Sequence, residues 1–412
     1  MTSATPSQPS NWLVLFATLT VQSLVAMALL TLPVVAPLVA QTMDVSASYV
    51  GLYVALVYVG AMTASLISGA GVRRFGAIRL SQMGLGACAI GLALCAVPSM
   101  ITMAIGALLI GIGYGPITPA SSHLLVRTTP AHRLSLVFSL KQTGVPLGGA
   151  LAGLIVPGLS TLIGWQAAFL GVSAVTVLCL VLVQPLCRVL DADRVPDQRL
   201  SLGAGLATPL RLVLGQRSLR LLALCSFMFS ICQLSLTTYL VTWLNQDMAM
   251  SLIIAGVVLG ASQIAGVCGR MMWGWVSDRF LGAPRMLAVL GALIILSSVG
   301  IALLDRDAPM ALILAPVVIL GASAIGWNGV YLAEVARQAP KGQAGVATGG
   351  TLAFTFLGVV VGPPLFGLVA GLAGGFGVAY ATLVIPGAIC LWVMWTRRAV
   401  FAGRAADGAL AD

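Results

Sequence analysis

Charge is scarce in this chain: Asp, Glu, Lys and Arg make up 8% of its 412 residues, and only 11 of these are acidic. Hydrophobic residues are 59% and the mean hydropathy is +1.05, so there is too little polar surface to cover a soluble globule. The chain belongs in a bilayer. Histidine is rarer still: His123 and His132 are the only two and stand in no metal-ligand cluster, so neither a metal nor a cofactor is expected. No nucleophile–base pair or phosphate-binding loop is present, which disfavours an enzyme. The net charge of +10 does not indicate nucleic acid, because the cations are spread over short connections between apolar runs and form no patch interleaved with aromatics. The first eleven residues hold no Lys or Arg, and the apolar run after them is too long for a signal-peptide core; it reads as a retained first span. Cys88, Cys95, Cys179, Cys187, Cys225, Cys232, Cys268 and Cys390 fall within or at the ends of apolar runs. Each reads as a buried small hydrophobe, and no disulfides are expected.

What the chain has is hydrophobic length. At about 20 residues per span, the runs divide into twelve helices near 12–38, 48–71, 78–97, 100–125, 134–159, 164–187, 218–244, 251–275, 285–304, 310–334, 345–370 and 376–396. Runs this long leave only helix or barrel, and the alternation of a barrel strand is missing. The expected fold class is an all-α membrane protein. Arg73, Arg74, Arg79, Arg127, Arg133, Arg188, Arg194, Arg199, Arg211, Arg217, Arg220, Arg279, Arg285, Arg337, Lys341, Arg397, Arg398 and Arg404 fall on one side, and only Arg306 clearly on the other. Both termini are therefore read as cytoplasmic. The longest polar connection, 188–217, carries Asp191, Asp193, Pro196, Asp197 and Pro209, and divides an N-terminal bundle, 1–187, from a C-terminal one, 218–412. Within it, Leu206 to Leu214 reads either as an interfacial amphipathic segment or as solvated linker.

The halves repeat. Gly274, Asp278, Arg279, Gly282 and Arg285, between spans 8 and 9, echo in altered form Gly69, Arg73, Arg74, Gly76 and Arg79, which begin 205 residues earlier. In such a turn a small residue lets helix ends approach, an acid can sit against a neighbouring helix N-terminus, and arginines hold the turn on the cytoplasmic side. Gly111 precedes Arg127 by sixteen residues, as Gly321 precedes Arg337, and Pro130 and Pro340 follow at equal distance. Gly148 falls opposite Gly358, and Phe16 and Phe227 each precede a glutamine, Gln22 and Gln233, by six. Two six-helix bundles related by a pseudo-two-fold axis along the membrane normal are the expected arrangement.

Six plus six spans, a long central loop and the pattern Gly-x-x-x-Asp-Arg-x-x-Gly-x-x-Arg from Gly274 to Arg285 resemble the major facilitator superfamily of secondary transporters, over essentially the whole chain. The resemblance implies a solute site between the bundles near mid-membrane, opened to each side in turn by rocking. One residue departs from it. Arg73 stands where the family's pattern, and this chain's own Asp278, has an acid, so the C-terminal copy must carry more of the locking role.

Lys141 is the sharpest clue, about seven residues or roughly 10 Å inside span 5 at 1.5 Å per residue, and followed by Gln142, Thr143, Gly144 and Pro146. A cation at that depth is costly unless paired or facing a wet cavity. Three readings stand: an anchor for an anionic substrate, snorkelling to the cytoplasmic face, or pairing with Asp278. Arg270 reads as a second anion contact or a gate residue. With Asp278, Glu334 and Arg337 it forms a candidate charge network closing the cytoplasmic side, to which the resemblance adds Gly69, Arg73, Arg74, Gly274 and Arg279; exposed ion pairs of little consequence are the bland alternative. Gln22, Tyr114, Thr118, Gln233, Tyr239, Gln263, Trp327, Asn328 and Tyr331 lie mid-span and should turn inward, as substrate contacts or as packing glue. Gly144, Gly148 and Ala152 in span 5, and Gly358 and Gly362 in span 11, read as close-packing and hinge elements. The span 5 setting partly resembles the Gly-Pro motif of drug exporters, but Gly144-Val-Pro146-Leu-Gly148-Gly149 lacks the Gly-Pro pair.

Spans 1, 4 and 7 hold no Asp or Glu in their middles, which disfavours cation export through a buried carboxylate. The expectation is a monomeric transporter of the bacterial inner membrane, taking up a small organic anion, a carboxylate, with protons. Glu334, His123 or the substrate's own carboxyl would carry the proton. Efflux of amphipathic compounds is the alternative.

Overall fold

The computed structural model describes residues 10–130, 133–197, 207–340, 343–397 and 400–401. His132, Arg199, Leu206, Lys341, Arg398 and Arg404 lie outside the described residues. Among the described residues, twelve helical spans are long and apolar enough to cross a membrane, in the order Asn11–Met43 (span 1), Ala47–Phe75, Ala77–Cys95, Met100–Thr128, Leu140–Ile163, Trp165–Leu190, Arg217–Gln246 (span 7), Leu252–Leu281, Ala283–Ala302, Met310–Gln338, Ala344–Ala373 and Phe376–Thr396 (span 12). No strand occurs among the described residues. Ser10 and Ser251 open spans 1 and 8 by accepting the Leu13 and Ile254 N–H groups on their hydroxyls, so a donor left over by the helix is satisfied. Between spans 6 and 7 a short helix, Ala207–Gly215, packs on span 11: its Val213 is fully buried, and Pro209 and Val213 lie against Gly350.

The chain packs as two compact units, one of residues 1–32 and 56–203, the other of 33–55 and 204–412. In the first, span 3 lies against spans 4 and 6, and span 1 against span 5. In the second, the main pairs are span 7 with span 11, span 9 with span 12 and span 8 with span 10.

Several spans are interrupted, and the interruptions repeat. Span 4 is a helix Met100–Tyr114, then Gly115 and Pro116, then a helix Ile117–Thr128. Span 10 is Met310–Ala324 followed by Asn328–Gln338. A broken helix leaves carbonyls without intrahelical partners, and in lipid these must be satisfied from a neighbour. In the first unit Ser65 Oγ of span 2 donates to Gly115 O at 3.0 Å. In the second, Arg270 Nε of span 8 donates to Ile325 O at 3.1 Å and Trp273 Nε1 to Ala322 O at 2.8 Å. Ser65 and Arg270 both stand four residues before the motif glycine, Gly69 or Gly274, so one position of the repeat serves the same break in each unit.

The duplicated turn differs by one residue, and the backbone shows where it goes. In the first unit span 2 ends in ordinary α-geometry, with Gly76 N–H donating to Val72 O at 2.9 Å. In the second, Ser277–Leu281 forms a single π-turn and Gly282 N–H donates to Ser277 O at 2.8 Å, five residues back. The wider turn absorbs the extra residue. Gly76 and Gly282 then both take positive φ, 93° and 75°, the conformation that lets the chain reverse into span 3 or span 9 and that a side chain would strain.

The cysteine expectation needs one correction. Cys268 is exposed on span 8 and Cys187 is half-buried, whereas the other six are buried. A thiol is apolar enough to stand on the outside of a spanning helix, where the surroundings are hydrocarbon.

Candidate functional site

In the first unit the polar centre is built from spans 1, 4 and 5. Span 5 is broken beside its cation: the helix Leu134–Gln142 ends, Thr143 intervenes and Gly144–Ile163 follows. Pro146, which has no N–H, sits in the first turn after the break, where a missing donor costs nothing. Thr143 Oγ1 turns back to donate to Leu140 O at 2.6 Å. Gly144 lies against Gln22, and Gly148 against the backbone of span 1 at Ser23 and Met27, so the two helices approach closely. That approach buries Lys141, which is 1% exposed. Its Nζ donates to Thr118 Oγ1 at 3.3 Å, and Thr118 in turn donates to Gln22 Oε1 at 3.2 Å. The amine therefore stays inside instead of snorkelling. Gln22 is fully buried and its Nε2 finds no partner within the unit. Tyr114, one turn before Thr118, meets Tyr58 edge-on at 6.0 Å, and Gln142 is half-buried.

The electrostatics are one-sided. Of the first 190 residues the only acid is Asp44, which falls in the second unit. Among the described residues of its unit Lys141 forms no ion pair. A buried ammonium and an unsatisfied amide N–H, with no carboxylate to answer them, make a donor cluster suited to an anion.

The second unit carries the matching cluster on spans 7 and 10. Gln233 Oε1 accepts from Trp327 Nε1 at 3.0 Å and from Asn328 Nδ2 at 3.5 Å. Asn328 stands seven residues after Gly321, as Thr118 stands seven after Gly111, so each unit bonds the same two positions of the repeat. Here the filling is aromatic: Trp327 stacks on Phe229 at 5.3 Å and meets Tyr331 edge-on at 5.0 Å. Phe229 was not among the sequence candidates; its position one turn before Gln233 is the signal that could have found it. Gln263 is buried on span 8. Tyr239 lies apart from this cluster. Its hydroxyl donates to Ser48 O at 2.7 Å and Pro363 O at 3.0 Å, and its ring stacks on Phe366.

The charged candidates sit at the helix ends. Arg337 Nε is 3.5 Å from Glu334 Oε2, and its Nη2 is 3.8 Å from Asp278 Oδ1, with Asp278 76% exposed. Glu334 is buried and accepts from Gln338 Nε2 at 2.8 Å. Arg270 Nε is bonded to the break of span 10. Arg73, Arg74 and Arg279 are exposed. Gly69 and Gly274 border open space, with no atom within 4 Å of an added Cβ. In this structure the close approach expected of them is made by Gly111 and Gly321.

In the first unit, where Arg73 replaces the acid of the turn, carboxylates arrive from the end of span 6. Asp191 Oδ1 and Oδ2 accept the Ile78 and Arg79 N–H groups at 2.8 and 2.9 Å, at the N-terminus of span 3. There the helix dipole favours a negative charge. Asp193 lies 2.7 Å from His123 Nε2 and 2.6 Å from Arg127 Nη1. Burial alone would raise the Asp193 carboxyl, but the His123 hydrogen bond and the Arg127 and His123 charges outweigh it and hold it below its ordinary value. A lowered carboxyl contributes stability that is present above the ordinary value of 3.8 and lost as the pH falls through the lowered one. Asp193→Asn is expected to lower the unfolding midpoint at pH 6 and to converge on the parent below that value; a gap that persists at the acid end of a fluorescence melting series refutes the assignment.

Comparison with known proteins adds the following. The model of the family described as Major Facilitator Superfamily matches residues 13–352. A hexuronate transporter of Bacillus subtilis is 22% identical over 255 residues, 60% of each chain. A gentisate transporter of Corynebacterium glutamicum is 26% identical over 302 residues, 69% of this chain and 65% of that one. The matched region thus spans about three fifths of the length of such relatives. Among solved structures, a D-xylose–proton symporter superposes with a TM-score of 0.71 at 16% identity, covering 94% of this chain and 96% of the other, a likeness that speaks for the fold alone.

Proposed function

The chain belongs to the Major Facilitator Superfamily, and from that premise we propose that it is a secondary transporter that takes up a small organic anion, a carboxylate, together with protons. The observation that carries this reading is the buried Lys141 with Thr118 and Gln22, a donor cluster in a unit whose spans contain no acid. Hexuronate and gentisate, which name two relatives, are both carboxylate anions and agree with it. A carboxylate moved with one proton crosses as a neutral pair, so no protein carboxylate is required at mid-membrane. The surrounding picture is proposed with it. Two six-helix bundles, 1–187 and 218–412, are joined by 188–217 and alternate access to the solute across a bacterial inner membrane, with both termini cytoplasmic, as the arginine bias supports.

The test is a thermal-shift screen of the purified protein against sugar acids, hydroxybenzoates and amphipathic cations. A ligand at a hundred times its dissociation constant adds about 2.7 kcal/mol to the folded state. Stabilisation by a carboxylate is the expected result; stabilisation by cations alone sinks the reading.

A further inference from the structure

We propose that Arg74, Arg79 and Arg194 form a binding site for the phosphate of an anionic glycerophospholipid. The three line one open cavity of about 430 Å³ together with Phe75, Met83 and Pro196, at the end of the first unit where span 2 turns into span 3. The cavity is assembled by backbone. Val195 N–H donates to Arg73 O at 2.6 Å, which holds the segment after span 6 against the turn and brings Arg194 beside the two arginines of spans 2 and 3.

Two of the three acids after span 6 are engaged elsewhere, and the third, Asp197, is exposed and forms no ion pair with these arginines among the described residues. Asp191 is committed to the span 3 N–H groups and Asp193 to His123 and Arg127. Among the described residues the Arg79 guanidinium donates to neutral oxygens, Gln82 Oε1 at 3.3 Å and Gln184 Oε1 at 3.4 Å, and Arg74 lies over the Phe75 ring at 5.4 Å. None of the three arginines forms an ion pair among the described residues of the unit. Three guanidinium forks around one cavity match the several oxygens of a phosphate, which accepts paired N–H bonds as a carboxylate does. A basic pocket between spanning helices at the membrane edge is the setting in which lipid headgroups are bound.

A free phosphate has the same oxygens, and the apolar part of the site decides between them. Met83 lies nearly two turns into span 3 and is 50% exposed; Ile90, seven residues further on, is 59% exposed. Sevenfold spacing puts the two side chains on one stripe of the helix. That stripe runs from the arginine mouth along the outer face of span 3, where an acyl chain would lie, and inorganic phosphate has no use for it.

The full chain is reconstituted in nanodiscs of phosphatidylcholine with increasing phosphatidylglycerol, and bound lipid is counted by native mass spectrometry beside the unfolding midpoint. Wild type is expected to retain phosphatidylglycerol selectively and to gain stability from it, with no gain from inorganic phosphate. Each Arg→Gln change should weaken retention about fivefold, and the triple variant by roughly a hundredfold. The triple variant's midpoint in pure phosphatidylcholine controls for folding; if it fails to fold, Arg194→Gln, outside the spans, carries the same test. Equal stabilisation by inorganic phosphate overturns the lipid assignment. So does phosphatidylglycerol retention that is unchanged in the variants.

Discussion

Lys141→Ala is expected to abolish carboxylate binding and leave a folded protein. Among the described residues the ammonium is the one cation buried in the first unit's polar centre, and its polar contact there is the Thr118 hydroxyl. Removing one partner of a desolvated charge pair costs about 2–5 kcal/mol, a weakening of roughly thirtyfold to beyond a thousandfold. The same change removes an uncompensated buried charge from the empty protein, so its melting temperature should hold or rise. Lys141→Met, which keeps the volume, separates charge from packing and should bind no better than alanine. Titration calorimetry with the carboxylate that stabilises wild type reads both. Affinity retained in either variant removes Lys141 from the site and returns it to a packing role.

The second large effect is structural. Gly111→Leu and Gly321→Leu are each expected to prevent recovery of a monodisperse protein. A Cβ at Gly321 would stand 2.5 Å from Ser262 O and 2.9 Å from Ser262 Cα; one at Gly111 would stand 2.8 Å from Val57 C and 2.9 Å from Ala61 N. These are backbone atoms, which cannot rotate aside, so the helices must separate. Overpacking of a tight contact costs typically about 1–3 kcal/mol, more when backbone has to move. Ser262 is 205 residues after Val57, as Gly274 is after Gly69, so the two crossings are one contact written twice. Gly69→Ala and Gly274→Ala, with open space around them, should leave the unfolding midpoint unchanged. Size-exclusion profiles of the four proteins test this, and a well-behaved Gly321→Leu contradicts it.

Much of the fold is legible in the sequence because bilayer thickness fixes helix length, and length is what hydropathy reports best. All twelve spans overlap the expected ones, though the limits of spans 1, 5 and 8 (Asn11–Met43, Leu140–Ile163 and Leu252–Leu281) depart furthest from those expected. The breaks in spans 4, 5 and 10 were not legible. Pro116 and Pro146 mark two of them, but Ile325 to Trp327 contains no proline, and the break there depends on Arg270 and Trp273 reaching across from span 8. Arg270, read from sequence as a second anion contact or a gate residue, also donates to a carbonyl of a neighbouring helix, a tertiary fact with no local signature. The engagement of Asp191 with the start of span 3 was hidden likewise, since the partners are more than a hundred residues apart. In contrast, the pairing of Gln22 with Thr118 and of Gln233 with Asn328 follows from the repeat once both registers are laid together.

The most direct measurement is uptake of the stabilising carboxylate into proteoliposomes carrying wild type or Lys141→Ala, with and without an inward proton gradient. The account predicts accumulation above equilibrium by wild type only while the gradient stands, and none by the variant. Equal accumulation by both proteins, or movement of amphipathic cations in its place, contradicts it.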